Sequence, residues 1–492
     1  MSDFATRALK EFYRICEIPH CSFHTQGMFA YLCSALESKG YTLTTDSALN
    51  ILARKGSPHI CLQSHYDMVC VGSASLGKGV EPYIERDESA REWLRARDSS
   101  LGADNGIGMA CMLALDSENI ELLFTNDEEV GMLGANALDM PLHAPLLLNL
   151  DSERLGEIAL GCAGGVDIAC SFALVRAESS LYPHTYTLRS EGFLGGHSGI
   201  DIHKGRENAI VELVRLLSGQ DIALISLEAG EKRNSIPVGL KCTLKSRAPL
   251  PPCHTTAQGA RFVIDSMDSI ESAESSALDS APCYALTPFL ESFARLHNGV
   301  HSASDDGVLA SLNCSLLALH NGVLRLDIMA RANATDLLEA LIAHIESAFV
   351  DSQHIGTEAR KNLAGAKEEN TRSEGANGGG VIIETSGFYA PWQRSIAPSH
   401  PALTTLHALY KQQGIEAREV QIHAGLECGI LKQRLLSFAK TPRKLEVLSI
   451  GPTIRAPHSC DERLDLEDFR RFCVVLENFI HTYKGEKCKG DK

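Results

Sequence analysis

The sequence predicts an α/β domain interrupted by an inserted α+β domain, and three observations lead there. Short apolar runs, Ile60-Cys61-Leu62, Leu122-Leu123-Phe124 and Leu146-Leu147-Leu148, alternate with helix-periodic stretches over the first 185 residues, the pattern of a sheet covered on both faces. From about residue 186 the text changes to alternating strands such as TYTLRSEGF and LKCTLKSRA. After residue 390 helix and apolar-strand patterns return. The expected organisation is therefore 1–185 and 390–492 as the two parts of one domain, with 186–389 inserted between them.

The elements follow in order. MSDFATRALKEFYRIC places Phe4, Ala8, Phe12 and Ile15 at helical spacing and has no basic region or apolar core of a secretory signal, so a cytoplasmic location is expected. Within the insertion, Asn208 to Leu217 and Ala334 to Phe349 read as helices. Residues 353–380 are polar and end in three glycines, a linker or mobile loop. Helices are expected around 401–413 and 465–482, with Val447-Leu448-Ser449-Ile450 as an apolar run between them. No internal repeat is visible.

Composition narrows the function. At 492 residues with 44% hydrophobic and 22% charged content, the chain is globular and of roughly two to four domains. No apolar stretch approaches the roughly 18 residues of a membrane span. With 62 acids against 46 basic residues, a formal charge of −16 and no basic cluster, nucleic acid is not an expected partner. The 16 cysteines contain no C-x-x-C pair and fit buried thiols in a reducing compartment better than a disulfide framework or a thiolate metal site.

Five places share one layout, an apolar run that stops in His, Asp or Glu: LQSHYDMV (His65, Asp67), SLGADNGIG (Asp104), FTNDEEVG (Glu128, Glu129), LLNLDSE (Asp151) and LSIGPTIRAPHSCDE (His458). The approach to Asp104 is loop-like. In open α/β sheets ligands bind beyond the carboxyl ends of the strands, where these residues could converge. Gathered carboxylates repel one another unless cations neutralise them. Two histidines with three carboxylates suit Zn²⁺, with Co²⁺ or Mn²⁺ as substitutes. A carboxylate shared by two ions would hold them about 3.5–4 Å apart, the spacing used in hydrolysis. Adjacent residues leaving a strand point in different directions, so Glu129 can bind metal while Glu128 serves as general base. Asp67, two residues after His65, can orient the imidazole. Each motif alone has an ordinary reading, a capped loop, a solvated turn or a helix N-cap. Together, in this order and at strand ends, they point to one site.

At these residues the sequence resembles the family of dizinc exopeptidases and deacylases that includes carboxypeptidase G, aminoacylase and bacterial dipeptidases, and within it the Xaa-His dipeptidases, also called carnosinase or peptidase D. The match runs through HYDMV, GADNGIG, TNDEEVGMLGA, NLDSE, GGHSG, RNSIP, HAGLECG and GPTIRAPHS. The resemblance implies a metal-dependent exopeptidase domain, a mixed sheet between helices, with an inserted lid or dimerisation domain. It implies two zinc ions on His65, Asp104, Glu129, Asp151 and His458, with Asp104 bridging, Glu128 as general base and Asp67 as orienting acid.

It further assigns His197 to the oxyanion, in its own or a partner subunit's site. Asn234 matches a substrate-contacting position. Arg331 is a candidate for the substrate carboxylate, the alternative being an ordinary surface arginine, and His423 and Glu427 either recognise a substrate terminus or buttress their loop. The activity implied is hydrolysis of unblocked dipeptides, preferentially Xaa-His including β-alanyl-histidine, in a homodimer formed through the inserted domain. The alternative within the family is an N-acyl amino acid deacylase or carboxypeptidase. A catalytically silent homologue would lack an essential residue, yet all seven metal and catalytic positions are filled.

Overall fold

In the computed structural model, residues 3–268, 278, 281–305, 307–349, 381–438 and 444–485 are described. The chain divides into two compact units, the first comprising Met1–Cys162, Trp392–Gln421 and Leu426–Lys492, the second Ala163–Pro391 and Ile422–Gly425.

The first unit is built on a mixed eight-stranded sheet in the order Thr42–Thr45, Ile51–Lys55, Ile120–Thr125, Cys61–His65, Leu146–Asn149, Glu446–Ser449, Glu157–Cys162, Arg418–Ile422. The four central strands run parallel. Each of the three expected apolar runs lies in or borders one of them, and all six residues of Ile120–Thr125 are buried, as strands covered on both faces require. Because side chains alternate along a strand, Leu62, Leu122, Phe124, Leu148 and Leu448 enter one core with Phe4, Phe12, Met28, Ile107, Leu403 and Phe469 of the helices. The intervening Leu123, Leu147 and Val447 are equally buried. Helices Pro401–Gln412 and Leu466–Thr482 stand where expected. A four-stranded sheet, Ile454–Arg455, Arg463–Asp465, Glu92–Ala96 and Pro82–Arg86, completes this unit.

The second unit is α+β. Its eleven-stranded sheet has Cys253–Thr255 and Val381–Tyr389 at its two ends. Helices Ala209–Leu217, Thr287–Phe293 and Thr335–Phe349 share its core through Leu213, Phe289, Leu338 and Ile345. The first division falls after Cys162 rather than at 185, because Gly164–Ala173 pairs with Val323–Ala332 and Val381–Tyr389 and so belongs to the second sheet. The expected linker at 353–380 lies outside the described residues.

One expectation is corrected. Cys21 and Cys70, 49 residues apart, form a disulfide. Residues 20–22 bond the backbone beside Asp67, through Met68 N–H to His20 O at 3.1 Å and Ser22 N–H to Met68 O at 3.3 Å. That pairing brings the two thiols together, and no local spacing announces it.

Candidate dinuclear metal centre

The parallel strands Cys61–His65, Ile120–Thr125 and Leu146–Asn149 end side by side. His65 is the last residue of the first, Glu128 and Glu129 follow the second, and Asp151 follows the third. Asp104 comes from the start of helix Ala103–Ala114, after Gly102 in the left-handed region (φ 70°). A Cβ at Gly102 would also lie 2.8 Å from Met68 Sδ and push that side chain aside, so the φ and the contact both favour glycine in LGADNG. His458 stands in the loop between Ile454–Arg455 and Arg463–Asp465, and His458 and Asp127 hold positive φ (60° and 52°) without being glycine. Such residues persist where surrounding contacts over-determine them.

Asp104 is central. Its Oδ1 lies 3.2 Å from His65 Nε2 and its Oδ2 3.2 Å from His458 Nε2. His65 Nε2 is also 3.4 Å from Asp151 Oδ1, and His458 Nε2 is 2.9 Å from Glu129 Oε1. Donor atoms of three groups, His65–Asp104–Asp151, His65–Glu128–Glu129 and Asp104–Glu129–His458, lie within 4.8 Å of one another. The donors of a tetrahedral zinc at about 2.0–2.2 Å stand roughly 3.3–3.6 Å apart. Glu129 Oε1 and His458 Nε2 are buried and face each other with no hydrogen bond between them. Orphaned buried polar atoms call for an ion or another partner, and this nitrogen and oxygen set suits a divalent cation.

Electrostatics point the same way. Burial pushes the Asp151 carboxyl up to about 6, Asp104 adding to it. Burial, then repulsion from Glu129 and Asp151, raises Glu128 well above the carboxylate range. Burial would lower the His65 imidazole, but Asp151, Asp104 and Asp67 outweigh it and raise it. Asp104 is held low against its burial by the two histidines. Cations at this place would relieve the crowding that protons relieve in their absence.

Asp67 does more than orient an imidazole. His65 Nδ1 is 3.0 Å from the backbone carbonyl of Asp67 and 3.4 Å from its carboxylate, so the nearer acceptor is the peptide oxygen. The fully buried carboxylate accepts Glu128 N–H at 2.9 Å, Glu129 N–H at 3.3 Å and Ser22 Oγ–H at 2.7 Å. It thus holds the turn on which both glutamates stand. Glu427 is also buried in this unit, its Oε2 accepting Gln63 Nε2–H at 2.7 Å and Thr125 Oγ1–H at 2.6 Å. Three nearby groups were not singled out from sequence: Asn105, which donates to Asp151 Oδ1, Glu153, pushed up to about 8 by burial and by Asp104, and Glu462. The last two end the very motifs LDSE and HSCDE, which is the signal that could have found them.

The other candidates belong to the second unit and gather around one turn. Gly196–His197 pairs with Ser235–Ile236, and Ser198 N–H donates to Asn234 O at 2.8 Å. His197 Nδ1 accepts N–H from Gly199 and Ile200, both at 3.1 Å. A neutral imidazole so bonded carries its proton on Nε2. A Cβ on Gly199 would stand 2.1 Å from His423 O and 3.2 Å from Arg331 Nε, so only glycine lets these pieces meet. Arg331 is buried, not a surface arginine, and donates to Tyr389 Oη at 2.6 Å. Burial, then Arg331, lowers His423 to about 3, so its ring is neutral, with Nε2 2.8 Å from Ser311 Oγ.

No family model matches the chain. It is 32% identical over 505 aligned residues to the cytosol non-specific dipeptidase of Escherichia coli (strain K12), covering 95% of this chain and 96% of that protein. The crystal structure of aminoacylhistidine dipeptidase from Vibrio alginolyticus matches with a TM-score of 0.66 and 26% identity over 99% of both chains. A tripeptidase from Staphylococcus aureus, at TM-score 0.52 and 12% identity over 97% of this chain and 99% of that one, shares the fold. With relatedness running over nearly its whole length, the chain belongs to the dipeptidase family that includes the cytosol non-specific dipeptidase.

Proposed function

We propose that the chain hydrolyses the peptide bond of unblocked dipeptides at a two-metal centre, preferring Xaa-His dipeptides, β-alanyl-histidine among them. Dipeptide hydrolysis is the activity of its family. The histidine preference is supported by the relative from Vibrio alginolyticus, named for aminoacylhistidine. A broad dipeptidase is the second reading, favoured by the name of the relative from Escherichia coli.

One observation carries the two-metal reading: Asp104 turns its two oxygens to two different histidines. His65, Asp104 and Asp151 would hold one ion, and His458, Asp104 and Glu129 the other. We assign Zn²⁺ on the donor chemistry, with Co²⁺ or Mn²⁺ as substitutes. Divalent ions bound there supply Lewis acidity to a scissile carbonyl and lower the pKa of water. The remaining roles fall to side chains. Glu128 accepts a proton from the attacking water on a carboxylate oxygen and returns it to the departing amide nitrogen. Asp67 keeps Glu128 and Glu129 in place through their peptide N–H groups. His197, with its proton on Nε2, donates to the oxyanion. Arg331 pairs with the substrate carboxylate, and Asn234, His423 and Glu427 contact the rest of the substrate.

We place the protein in the cytoplasm as a homodimer through the second unit. In support, the Escherichia coli relative is named as cytosolic, and among the described residues no helix is long and apolar enough to cross a membrane. Histidine release from β-alanyl-histidine and glycyl-histidine by the Zn²⁺-loaded protein, beside alanyl-leucine and an N-acetylated dipeptide, tests the reading. Fast release from the unblocked histidine dipeptides alone supports it. Equal cleavage of alanyl-leucine establishes the broad dipeptidase, and cleavage of the blocked compound alone establishes the deacylase.

A further inference from the structure

We infer that Glu462 is a positioning residue for the metal centre, holding the backbone that carries Asp104 so that its two carboxylate oxygens face His65 and His458. The inference rests on the bridging role proposed for Asp104. Glu462 is 2% exposed, and its carboxylate accepts four successive peptide N–H groups: Leu101 at 2.8 Å and Gly102 at 3.0 Å on Oε2, Ala103 at 2.8 Å and Asp104 at 3.2 Å on Oε1.

These amides include those of a helix N-terminus, which need outside acceptors. A Ser, Thr, Asp or Asn at the cap position ordinarily provides one, but here that position is Gly102, which has no side chain to do so. Its φ of 70° disfavours a residue with a side chain, and a Cβ there would press on Met68 Sδ at 2.8 Å. Glu462, some 360 residues away in sequence, supplies the acceptors instead. Asp104 itself has non-helical angles (φ −85°, ψ 104°), so regular helix geometry does not fix its direction. Its peptide N–H is tied to Glu462.

Glu462 is also well placed to transmit position. It follows His458 by four residues and immediately precedes strand Arg463–Asp465, which is registered against Glu92–Ala96. One loop therefore reaches Asp104 twice, through the His458 imidazole beside the Asp104 carboxylate and through the Glu462 carboxylate on its backbone. Glutamine could not replace it. Its one oxygen could serve only part of this set, and its NH₂ would face N–H groups, donor against donor.

The test uses the full chain with Glu462→Gln and Glu462→Asp, titrated with Zn²⁺ against a competing chelator, followed by kcat and KM. Groups that orient metal ligands typically matter about 10–100-fold in metal affinity. Folded Glu462→Gln should bind Zn²⁺ weaker by that factor and recover part of its kcat at saturating Zn²⁺, while Glu462→Asp, which keeps two carboxylate oxygens, should lose less. A lowered melting temperature with unchanged Zn²⁺ affinity in both variants would reduce Glu462 to a structural cap and overturn the inference. Should neither variant fold, amide hydrogen exchange of the wild type decides. Leu101 to Asp104 protected without metal and slowed further by Zn²⁺ supports the role; exchange at open-loop rates refutes it. Wild type that takes up no Zn²⁺ at all would instead count against the two-metal reading itself.

Discussion

Replacing a proposed metal ligand should stabilise the metal-free protein, and Asp151→Asn is the place to see it. Burial raises this carboxyl from 3.8 to about 6. An acid whose folded pKa lies above its unfolded one favours folding only while protonated: its contribution is intact below about pH 3.8, is lost as pH rises to about 6, and stays lost above that. At about 1.4 kcal/mol per unit, the anionic side chain costs on the order of 3 kcal/mol at neutral pH, less what His65 loses with this partner. Asparagine has the shape of the protonated acid and still offers Oδ1 to Asn105, which donates to Asp151. At roughly 2–4 °C per kcal/mol for a domain of 150–250 residues, metal-free Asp151→Asn should melt roughly 5–10 °C above metal-free wild type at pH 7.5 and level with it at pH 4. Scanning calorimetry in a chelating buffer reads both. With Zn²⁺ added the order should reverse, since the wild type then gains a ligand that the variant lacks. A variant that melts lower than wild type at both pH values without metal would refute the reasoning, because the anion would then be stabilising in the bare protein.

Other outcomes follow from the same geometry. Glu128→Gln should retain two Zn²⁺ by elemental analysis while its kcat falls about 10²–10⁴-fold, whereas Glu129→Ala should lose metal as well; equal metal loss in both would remove the division of labour between them. His197→Ala should keep its metals and lose on the order of 10²–10³ in kcat, as removal of an oxyanion donor does, and an unchanged kcat would take it out of the reaction. For Cys21→Ser with Cys70→Ser, the 49-residue separation implies about 4 kcal/mol of lost stability by loop-closure entropy. Melting with and without a dithiol reductant checks this: the wild type should fall toward the variant when reduced, and the variant should not respond.

Much of the candidate site could be read in the linear text because His65, Glu128, Glu129 and Asp151 stand at or just past strand ends, whereas Asp104 opens a helix and His458 sits in a loop. A buried strand announces itself through an uninterrupted apolar run, and the acids that follow it, Glu128 and Glu129 after Leu122-Leu123-Phe124 and Asp151 after Leu146-Leu147-Leu148, stand beyond the carboxyl ends of central strands. The second unit's elements were legible for the same local reason, as alternation in Thr185 to Leu188 and helical spacing in Thr335–Phe349. Its start was not, because Gly164–Ala173 carries a strand pattern that could join either sheet, and only its partners decide. Arg331 shows the same limit, since nothing in LRLDIMAR distinguishes a buried arginine on Tyr389 from an exposed one.

By itself, then, the sequence determined the α/β and α+β character and the strand ends beside which His65, Glu128, Glu129 and Asp151 stand, because these depend on periodicity within a few residues. The tertiary structure alone decided that Asp104 divides its oxygens between His65 and His458, that Asp67 holds the two glutamates by their peptide groups, that Cys21 meets Cys70, and that Glu462 closes the helix start at Gly102. Each of these joins residues dozens to hundreds of positions apart. Such pairings are selected by the packing of whole strands and loops and by the cost of leaving buried charges and N–H groups unpaired, and no short stretch of sequence records them.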